Sequence, residues 1–479
     1  MKQLVYFLLF PASLLFATPS AEDAVVKIYQ TRNFYNYASP WHPPEQGMTR
    51  GSGFVISKNR ILTNAHVIAD AVFIQVKKPK DSKYYPAKAD WIGHDCDLAI
   101  LKVDDKQFFT NIPPLEFATE MAAVASSIKV LGYPMGGEEL ALTRGVVSRT
   151  EVCRYMHSGS ALLCSQIDAP INQGNSGSPV LENGKVVGVA HQGIQSGQNI
   201  GYMIPIPIIH HFLKEVEKGK YDGFPKGNIL LQSMENPTLR SFYQLQKGET
   251  GVLVASIWAG SPFEGTLVPG DVLLSIDGVS VGVDGTVDIG QCKSVSLFHL
   301  FSLKYYNDLV YLRVLRNGSR ITLPMVLKYR PPKPLGEFEH DKRPTYFVLG
   351  GLVFQPLTVN YLSYALSRDM PVADLISYLK SGRVPADCSQ VVVLTRVLPD
   401  AINVGYQSLS NEVVTSVNDV KVRNMRELVK LFKECTGSYY RIKLDNDMEL
   451  ILDRYQIAAC NEKMKGSYYI DRDKSEDLN

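Results

Sequence analysis

Three segments of the chain carry residue types that could perform acyl transfer through a serine. Ser176 lies between glycines in the run Gly174-Asn175-Ser176-Gly177, which turns the backbone tightly and can leave a hydroxyl exposed. His66 follows one apolar strand-like run, and Asp97 leads directly into another, where a carboxylate requires a strong partner. Acyl transfer needs a nucleophile, a base that takes its proton and a group that orients the base. We therefore interpret His66, Asp97 and Ser176 as a candidate triad.

Each of these signals is modest alone, because a glycine-flanked serine is more often a surface turn and a lone histidine more often a core residue. Their conjunction is more specific, since the chain order histidine, aspartate, serine is that of chymotrypsin-type hydrolases. The N–H groups of Gly174, Asn175 and Ser176 would converge on one concavity and form the predicted oxyanion hole.

Alternative assignments are less well placed. Asp95 could replace Asp97, but it lies one step further from the following strand. Ser178 is a poor nucleophile because Pro179 follows it directly. Cys153 and Cys164 could in principle serve a cysteine hydrolase, although neither lies on a glycine turn. Three other histidines are alternative bases, and none follows a Thr-Asn-Ala strand end: His94, His157 and His191.

The segment that must position the triad, residues 24–205, is predicted to be all-β. Short runs rich in Val, Ile and Thr recur between Gly, Asn and Asp, which is typical of a sandwich or of paired barrels. A helix is expected after Pro207, because Ile208, Ile209, Phe212, Leu213 and Val216 share one helical face. Residues 222–225 have the composition of a linker.

Length and charge bound the class of protein. The chain has 479 residues, a length that predicts roughly three domains. Of these residues, 45% are apolar. Its net charge of +2 gives no basic footprint for nucleic acid. Residues 1–21 match a signal peptide, with a short positive start and an apolar run, so export is expected. No later stretch reaches 18 uninterrupted apolar residues, and no membrane span is expected in the mature protein.

The rest of the chain contains an internal repeat. Residues 251–257 resemble 391–397, and residues 271–281 resemble 412–422, at offsets of about 140. Each copy continues with a helix candidate, 296–303 or 425–435, and Asn424 is a plausible N-cap of the latter. Each copy ends in a predicted hairpin. The near-constant offset predicts two copies of one small module, and the charged end of the chain is expected to be frayed.

The seven cysteines are sparse and include no CxxC motif, so they give no zinc signature. No metal ion or cofactor is expected. Cys153 and Cys164 flank a predicted hairpin tip and form a candidate disulfide, with two buried thiols as the equally plausible alternative.

At its chemistry-bearing residues the chain resembles the HtrA/Deg family of serine proteases. The matching motifs are Thr63-Asn64-Ala65-His66, residues 97–102, the run at Ser176 and residues 199–205. The resemblance implies a mainly β protein, with a chymotrypsin-like double β-barrel followed by two PDZ-type α+β domains. Residues 132–137 and 166–172 look closest to the plant-type branch. The implied domains are a signal peptide (1–21), a protease domain (22–220), a first PDZ domain (224–330), a linker (331–343), a PDZ-like domain (344–460) and a charged tail (461–479).

The resemblance also implies an activity and its sites. Members are ATP-independent endopeptidases that act on unfolded or damaged proteins, bind peptide C-termini and assemble as homo-oligomers, often from trimers. A chaperone or peptide-binding protein with conditional proteolysis is the alternative. The signal peptide points to a bacterial periplasm. The implied substrate pocket contains Val189, Ala190, Ile194 and Met203, and the implied carboxylate-binding loops contain Gly227, Asn228 and Ile229 in the first PDZ domain and Gly350 and Gly351 in the second.

Two residues depart from the family pattern. Ser178 stands where the family usually has a glycine, and Pro170 replaces an alanine. Both lie near the predicted oxyanion loop, so a resting loop that must be switched on would be consistent with the sequence.

Overall fold

The computed structural model describes residues 20–57, 59–135, 137–193, 200–227, 229–258, 261–290, 292–328, 338–381 and 387–479. The signal-peptide prediction falls almost entirely on residues 1–19, which lie outside the described residues. The fold is mainly β, as predicted, and its strands form two closed barrels followed by two further sheets.

The first barrel contains six antiparallel strands in the order β1-β2-β3-β6-β5-β4. Its inward-facing residues form a closed apolar core, and β6 is the most buried strand because only Lys102 is partly exposed. The strands are β1 (Val25–Phe34), β2 (Glu45–Ser57), β3 (Arg60–Thr63), β4 (Ala71–Lys77), β5 (Tyr85–Gly93) and β6 (Leu98–Val103).

The second barrel repeats this architecture in the order β10-β11-β12-β9-β8-β7. A helix, α1 (Ile206–Glu217), follows it with Pro207 in its first turn, which confirms the prediction from the apolar spacing. The strands are β7 (Ser127–Gly132), β8 (Ala141–Arg154), β9 (Ala161–Ile167), β10 (Pro179–Glu182), β11 (Lys185–Gly193) and β12 (Gly201–Pro205).

The first repeat forms a sheet with the strand order β13-β14-β15-β19-β20, to which β16 adds beside β15, and β17 pairs with β18 separately. Helix α3 lies within the predicted range 296–303. The elements are β13 (Ile229–Gln232), α2 (Pro237–Phe242), β14 (Val252–Ile257), β15 (Val272–Ile276), β16 (Val279–Ser280), β17 (Thr286–Ile289), β18 (Cys292–Ser296), α3 (Phe298–Ser302), β19 (Leu309–Arg316) and β20 (Ser319–Val326).

The second repeat has the strand order β21-β22-β23-β24-β26-β27, with β25 beside β24. Its helix α6 begins after Asn424, whose side chain accepts a hydrogen bond from the N–H of Glu427 at 2.8 Å, as predicted. The elements are β21 (Phe347–Leu349), β22 (Leu352–Pro356), α4 (Val359–Leu366), α5 (Ala373–Ser381), β23 (Val392–Val397), β24 (Glu412–Val417), β25 (Val420–Lys421), α6 (Met425–Glu434), β26 (Tyr439–Leu444), β27 (Glu449–Asp453) and α7 (Ile457–Tyr468).

The two repeats share a common set of strands, although the pair β17–β18 occurs only in the first and β21 only in the second. β14 and β15 correspond to β23 and β24 at the predicted offset of about 140 residues, and β16 corresponds to β25. A helix and a hairpin follow in both copies. The internal repeat is therefore confirmed, because the same periodic pattern generates the same sheet twice.

The C-terminal segment is ordered, so the prediction of a frayed tail is wrong. Helix α7 covers the first part of the predicted charged tail (461–479), and Ile470 and Leu478 are buried. Lys474 pairs with Phe347 beside β21. The prediction rested on the charge of this segment alone. Its few apolar residues are nevertheless spaced so that they reach the core of the second repeat.

The second repeat contacts the protease domain through the tip of the β1–β2 hairpin. Trp41 Nε1 donates to the carbonyl of Tyr468 at 2.9 Å, and Gln355 Nε2 donates to the carbonyl of Tyr37 at 2.8 Å. Part of the predicted linker also lies on the protease domain, since the N–H of Asp341 donates to Asp70 Oδ1 at 2.8 Å. Within the described ranges, no helix combines the length and apolar character needed to cross a bilayer.

Candidate active site

His66 lies on a short 3₁₀ turn, Ala65–Val67, just after β3 ends at Thr63. The turn packs tightly on β2, because a methyl group at Gly51 would lie 2.5 Å from Val67 Cγ1. Asn64 precedes the turn and donates from Nδ2 to the carbonyl of Asp97 at 2.9 Å. The sequence placed His66 at the end of the strand, and the structure places it one turn later, where its ring is partly exposed.

Asp97 holds both the backbone and the ring of His66. Its Oδ1 accepts a hydrogen bond from the His66 N–H at 2.7 Å, and its Oδ2 lies 2.6 Å from His66 Nδ1. This contact places the ring proton on Nδ1 and leaves Nε2 as the free acceptor. Asp97 is fully buried and has a left-handed φ of 53°, a conformation that turns the chain sharply between β5 and β6.

A second imidazole faces the same carboxylate. His191 Nδ1 lies 2.7 Å from Asp97 Oδ2, but the approach is out of line for a hydrogen bond. Burial by itself raises the pKa of Asp97, yet its contacts with His66 and His191 outweigh burial and hold the pKa well below its usual range. Asp97 is therefore ionised at neutral pH. The sequence considered His191 only as an alternative base, and no local pattern marks it as a neighbour of Asp97.

Ser176 lies on a turn whose shape depends on two glycines. Gly174 and Gly177 have φ values of 96° and 85°, in the left-handed region that glycine adopts without strain. A side chain at Gly177 would overlap the carbonyl of Ser52 on β2, so glycine is also needed for close approach. The N–H of Ser52 donates to the carbonyl of Ser176 at 2.9 Å, which docks the turn onto the barrel that carries His66 and Asp97.

Ser52 braces this turn from a second direction. Its Oγ donates to the carbonyl of Gly174 at 2.7 Å and accepts a hydrogen bond from the N–H of Tyr133 at 2.9 Å. Ser52 was not among the residues that the sequence singled out, although its position between Gly51 and Gly53 is a signal of close backbone packing.

The hydroxyl of Ser176 donates to the carbonyl of His191 at 3.2 Å. No hydrogen bond joins Ser176 Oγ to His66 within the described residues. Catalytic hydrogen bonds are often long or misaligned without substrate, so this arrangement is compatible with Ser176 as a nucleophile.

The predicted oxyanion hole needs one correction. The N–H of Asn175 donates to the carbonyl of Asn172 at 3.0 Å, so it is committed to a turn and does not face a substrate. The carbonyl of Gln173 accepts from the N–H of Met135 at 2.6 Å, which turns the N–H of Gly174 in the opposite direction. No carbonyl of the described residues accepts a hydrogen bond from the N–H of Gly174 or Ser176. These two groups are the donors that remain for an oxyanion.

The two departures from the family pattern have different consequences. Ser178 is buried, and its hydroxyl makes no hydrogen bond within the described ranges. It fits because β7 presents Gly132 opposite it, where a methyl group would overlap Ser178 Oγ. Pro170 is exposed. Ser178 therefore fits because Gly132 has no side chain, and not because a polar group in the described part of the chain bonds its hydroxyl.

Gly132→Ala is expected to lower the free energy of unfolding by about 1–3 kcal/mol, because the added methyl group overpacks the contact with Ser178. Urea denaturation of the full chain measures this effect. The double variant Gly132→Ala/Ser178→Gly should recover most of the loss, since the overlapping hydroxyl is removed. A double variant no more stable than Gly132→Ala alone would show that Ser178 is not the residue that excludes a side chain at position 132.

Asp95 has a structural role, so it is not an alternative catalytic acid. Its Oδ1 accepts from the hydroxyl of Tyr221 at 2.5 Å, and its Oδ2 accepts from the N–H of Phe224 at 2.9 Å. These contacts anchor the segment that leaves the protease domain. His94 and His157 contact each other at 2.9 Å and do not contact Asp97, which removes them as alternative bases.

The predicted substrate pocket is not formed by the residues chosen for it. Val189, Ala190 and Met203 are fully buried. Ala190 and Met203 pair across β11 and β12 and face the core of the second barrel, as strand alternation requires. Ile194 lies outside the described residues.

The first predicted carboxylate-binding loop precedes β13, which is an edge strand of its sheet. In this conformation the N–H of Ile229 donates to the carbonyl of Gly227 at 2.9 Å, and the ring of Phe298 covers Gly227. Asn228 lies outside the described residues. The edge strand required for strand addition is present, but the loop is folded on itself.

The second predicted carboxylate-binding loop is a hairpin turn, so that prediction is wrong. Gly350 and Gly351 have φ values of 57° and 82° and connect β21 to β22. The N–H of Gly350 donates to Asn461 Oδ1 at 2.9 Å. β21 and the residues paired with it occupy the sheet edge to which a peptide would add. The two glycines therefore form a tight turn instead of an exposed binding loop.

Cys153 and Cys164 are joined as a disulfide, with their Cα atoms 6.0 Å apart. They lie on β8 and β9 but do not face each other directly, because Cys153 pairs with Leu162 in the ladder. The bond therefore crosses the hairpin diagonally.

Comparison with known proteins places this site in context. A trypsin-like peptidase domain model matches residues 51–189, and a PDZ domain model matches residues 336–477. The chain is 36% identical over 460 residues to the putative protease Do-like 3, mitochondrial, of Arabidopsis thaliana, covering 96% of this chain and 80% of that protein. It is 38% identical over 456 residues to protease Do-like 4, mitochondrial, of the same plant, covering 92% and 85%.

A solved structure shares the fold. The HtrA-type protease AlgW with tripeptide is 26% identical, has a TM-score of 0.52, and is matched over 65% of this chain and 95% of its own. The expected bacterial periplasmic location is wrong, because these plant relatives are named as mitochondrial proteins and another, Do-like 2, as chloroplastic. The extent of similarity to the Do-like proteases, together with the double barrel and the PDZ fold, shows that this chain is a serine endopeptidase of the HtrA/Deg family.

Proposed function

We propose that His66, Asp97 and Ser176 form the catalytic triad and hydrolyse peptide bonds through an acyl-enzyme. The observation that carries this proposal is that the buried Asp97 carboxylate contacts both the backbone N–H and the ring Nδ1 of His66. The same barrel supports the Ser176 turn through Ser52. Base, orienting group and nucleophile are thus attached to one rigid frame.

In this mechanism His66 Nε2 takes the proton from Ser176 Oγ as the oxygen attacks the scissile carbonyl. Asp97 stabilises the imidazolium that forms, and it remains ionised because its pKa is held well below the usual range. The N–H groups of Gly174 and Ser176 stabilise the oxyanion. His66 then donates the proton to the leaving amine, and water releases the acyl group by the reverse sequence.

The substrates in this proposal are unfolded or damaged proteins, degraded without ATP. The first PDZ domain would capture peptide C-termini at the edge strand β13, which requires the loop at Gly227 to open. The active form would be a homo-oligomer built from trimers. The HtrA/Deg family membership supports both parts.

A second candidate is a chaperone or peptide-binding protein whose proteolysis is conditional. It is favoured by one observation: the Ser176 hydroxyl donates to the His191 carbonyl at 3.2 Å instead of to His66. Activation would require this hydroxyl to rotate toward Nε2. The two candidates share one site and differ in how often it is assembled.

Labelling of the full chain with a fluorophosphonate tests the proposal. We expect a single adduct on Ser176 by mass spectrometry, because only an activated serine beside an oxyanion hole should react. Ser178→Ala is the matched control and should label as wild type does. An adduct on another residue would contradict the proposed roles.

A further inference from the structure

Lys27 is a buried cation in an otherwise apolar stretch of β1. The residue is 2% exposed, and Val26 and Ile28 on either side of it are fully buried. A buried ammonium group destabilises the fold unless it has hydrogen-bonding or charged partners. In the described part of the chain these partners belong to the second barrel. Lys27 Nζ donates to the carbonyl of Gly137 at 2.8 Å and lies 3.1 Å from Glu138 Oε1. Lys27 therefore joins the first barrel to the connection between β7 and β8.

Two tyrosines support the same contact. Tyr29 lies two residues along β1 and so on the same face of the strand, and its hydroxyl donates to Glu138 Oε2 at 2.9 Å. The ammonium group also lies 5.3 Å from the centre of the Tyr29 ring and 5.8 Å from that of Tyr133. The Glu138 side chain is more than half exposed, so the ion pair itself contributes little. The buried hydrogen bond from Lys27 to Gly137 is the stronger restraint on the connection.

The β7–β8 connection also contacts the turn that carries the proposed nucleophile. The N–H of Gly137 donates to the carbonyl of Pro134 at 3.4 Å and closes a short turn. The N–H of Met135, in the same turn, donates to the carbonyl of Gln173 at 2.6 Å. A series of hydrogen bonds along this turn therefore connects Lys27 to the peptide group between residues 173 and 174.

That peptide group sets the direction of one proposed oxyanion donor. Because the C=O and N–H bonds of a trans peptide point in opposite directions, the hydrogen bond from Met135 to Gln173 directs the Gly174 N–H away from Met135. Gly174 has a φ of 96°, and glycine has little steric resistance to other backbone conformations. Rotation of this peptide group would remove one of the two N–H groups that remain for an oxyanion.

We propose that Lys27 is a positioning residue for the oxyanion hole, an inference that rests on the proposed roles of Ser176 and the Gly174 N–H. The ammonium group holds the β7–β8 connection, and the connection holds the Gln173 carbonyl. The Gly174 N–H is thereby kept available to the oxyanion. Lys27 contacts no residue of the triad among the described residues. Its loss should therefore weaken binding of the transition state more than binding of the substrate.

Steady-state kinetics of Lys27→Met in the full chain, with a casein-derived peptide as substrate, test this inference. Methionine retains much of the length of the side chain but has neither the charge nor the hydrogen bond. Loss of one oxyanion donor typically lowers kcat by about 10²–10³-fold. We expect kcat to fall by about 100-fold, with KM within about 3-fold of wild type. A peptide aldehyde, whose adduct places an oxyanion in the hole, should bind more weakly by a similar factor.

A second variant, Lys27→Gln, is uncharged and one bond shorter, and the same split between kcat and KM is expected if Lys27→Met does not fold. Urea denaturation identifies the folded variants. Lys77→Met is the matched control, because Lys77 faces Lys27 in the β1–β4 ladder and makes no hydrogen bond to the β7–β8 connection within the described residues. Its kcat should remain within about 2-fold of wild type.

Ser176→Ala separates this inference from the proposed function. If Ser176→Ala still cleaves the peptide, the triad fails and the role of Lys27 fails with it. If Ser176→Ala is inactive but the folded Lys27 variants keep a wild-type kcat, or differ from wild type only in KM, the inference alone is overturned. Failure of both Lys27 variants to fold would also overturn it, because Lys27 would then serve the fold and not the oxyanion hole.

Discussion

Ser176→Ala is expected to abolish cleavage of casein by the full chain, with kcat reduced on the order of 10⁴-fold or more. In the proposed mechanism the substitution removes the atom that attacks the peptide carbonyl. It removes little else, because among the described residues Ser176 Oγ makes one hydrogen bond, to the carbonyl of His191 at 3.2 Å. The free energy of unfolding should therefore change by no more than about 1 kcal/mol. Cleavage rates and denaturation curves of the same preparation separate the two effects.

The matched control is Ser178→Ala, two residues along the same turn. Ser178 Oγ is buried without a hydrogen bond in the described part of the chain, so its removal costs no polar contact. Activity should remain within a few-fold of wild type. If Ser176→Ala still digests casein at the wild-type rate, Ser176 is not the nucleophile and the proposed triad fails.

Asp97→Asn is expected to lower kcat by about 10⁴-fold while preserving the shape of the site. Both carboxylate oxygens now face donors of His66, the backbone N–H at 2.7 Å and Nδ1 at 2.6 Å. An asparagine amide offers only one acceptor oxygen, and its NH₂ group, a donor, would face the other donor of His66. The imidazole would then carry its proton on Nε2, where it cannot accept the serine proton. Steady-state kinetics on casein or a derived peptide measure the loss.

Asp95→Asn is the control for a general disturbance of the turn before β6. Asp95 is bonded to Tyr221 and to the N–H of Phe224, and it does not contact His66. We expect kcat to fall by less than about 10-fold, with any larger effect appearing in stability. Equal losses in the two variants would indicate that Asp97 supports the turn and does not act through His66.

Several features were readable from the sequence because their causes are local. Glycine at positions 174 and 177 reflects φ values that side chains rarely adopt, and an apolar spacing after Pro207 specifies one helical face. The two PDZ-type copies were visible because the same strand and helix periods recur at a near-constant offset. Chain order and motif spacing also indicated the three candidate catalytic residues.

Other features depended on which distant groups the fold brings together. The sequence around Gly350 and Gly351 is typical of an open loop. In the structure, Asn461 on α7 accepts a hydrogen bond from the N–H of Gly350 and holds the turn. Ala190 and Met203 were assigned to the substrate pocket through the family resemblance, but strand alternation turns them into the barrel core. The tail looked too charged to fold, yet it covers the edge beside β21.

Local patterns in the sequence therefore predict the candidate chemistry: a serine on a glycine turn, a histidine after a strand and an aspartate before one, in a family-typical order. How these residues are held depends on contacts between distant segments. His191 lies against Asp97, the N–H of Asn175 bonds within a turn, and Ser178 lies opposite Gly132. The difference follows from the range of the interactions, because backbone conformation and periodicity are set by neighbours in sequence, whereas hydrogen-bond partners and excluded volume are set by neighbours in space.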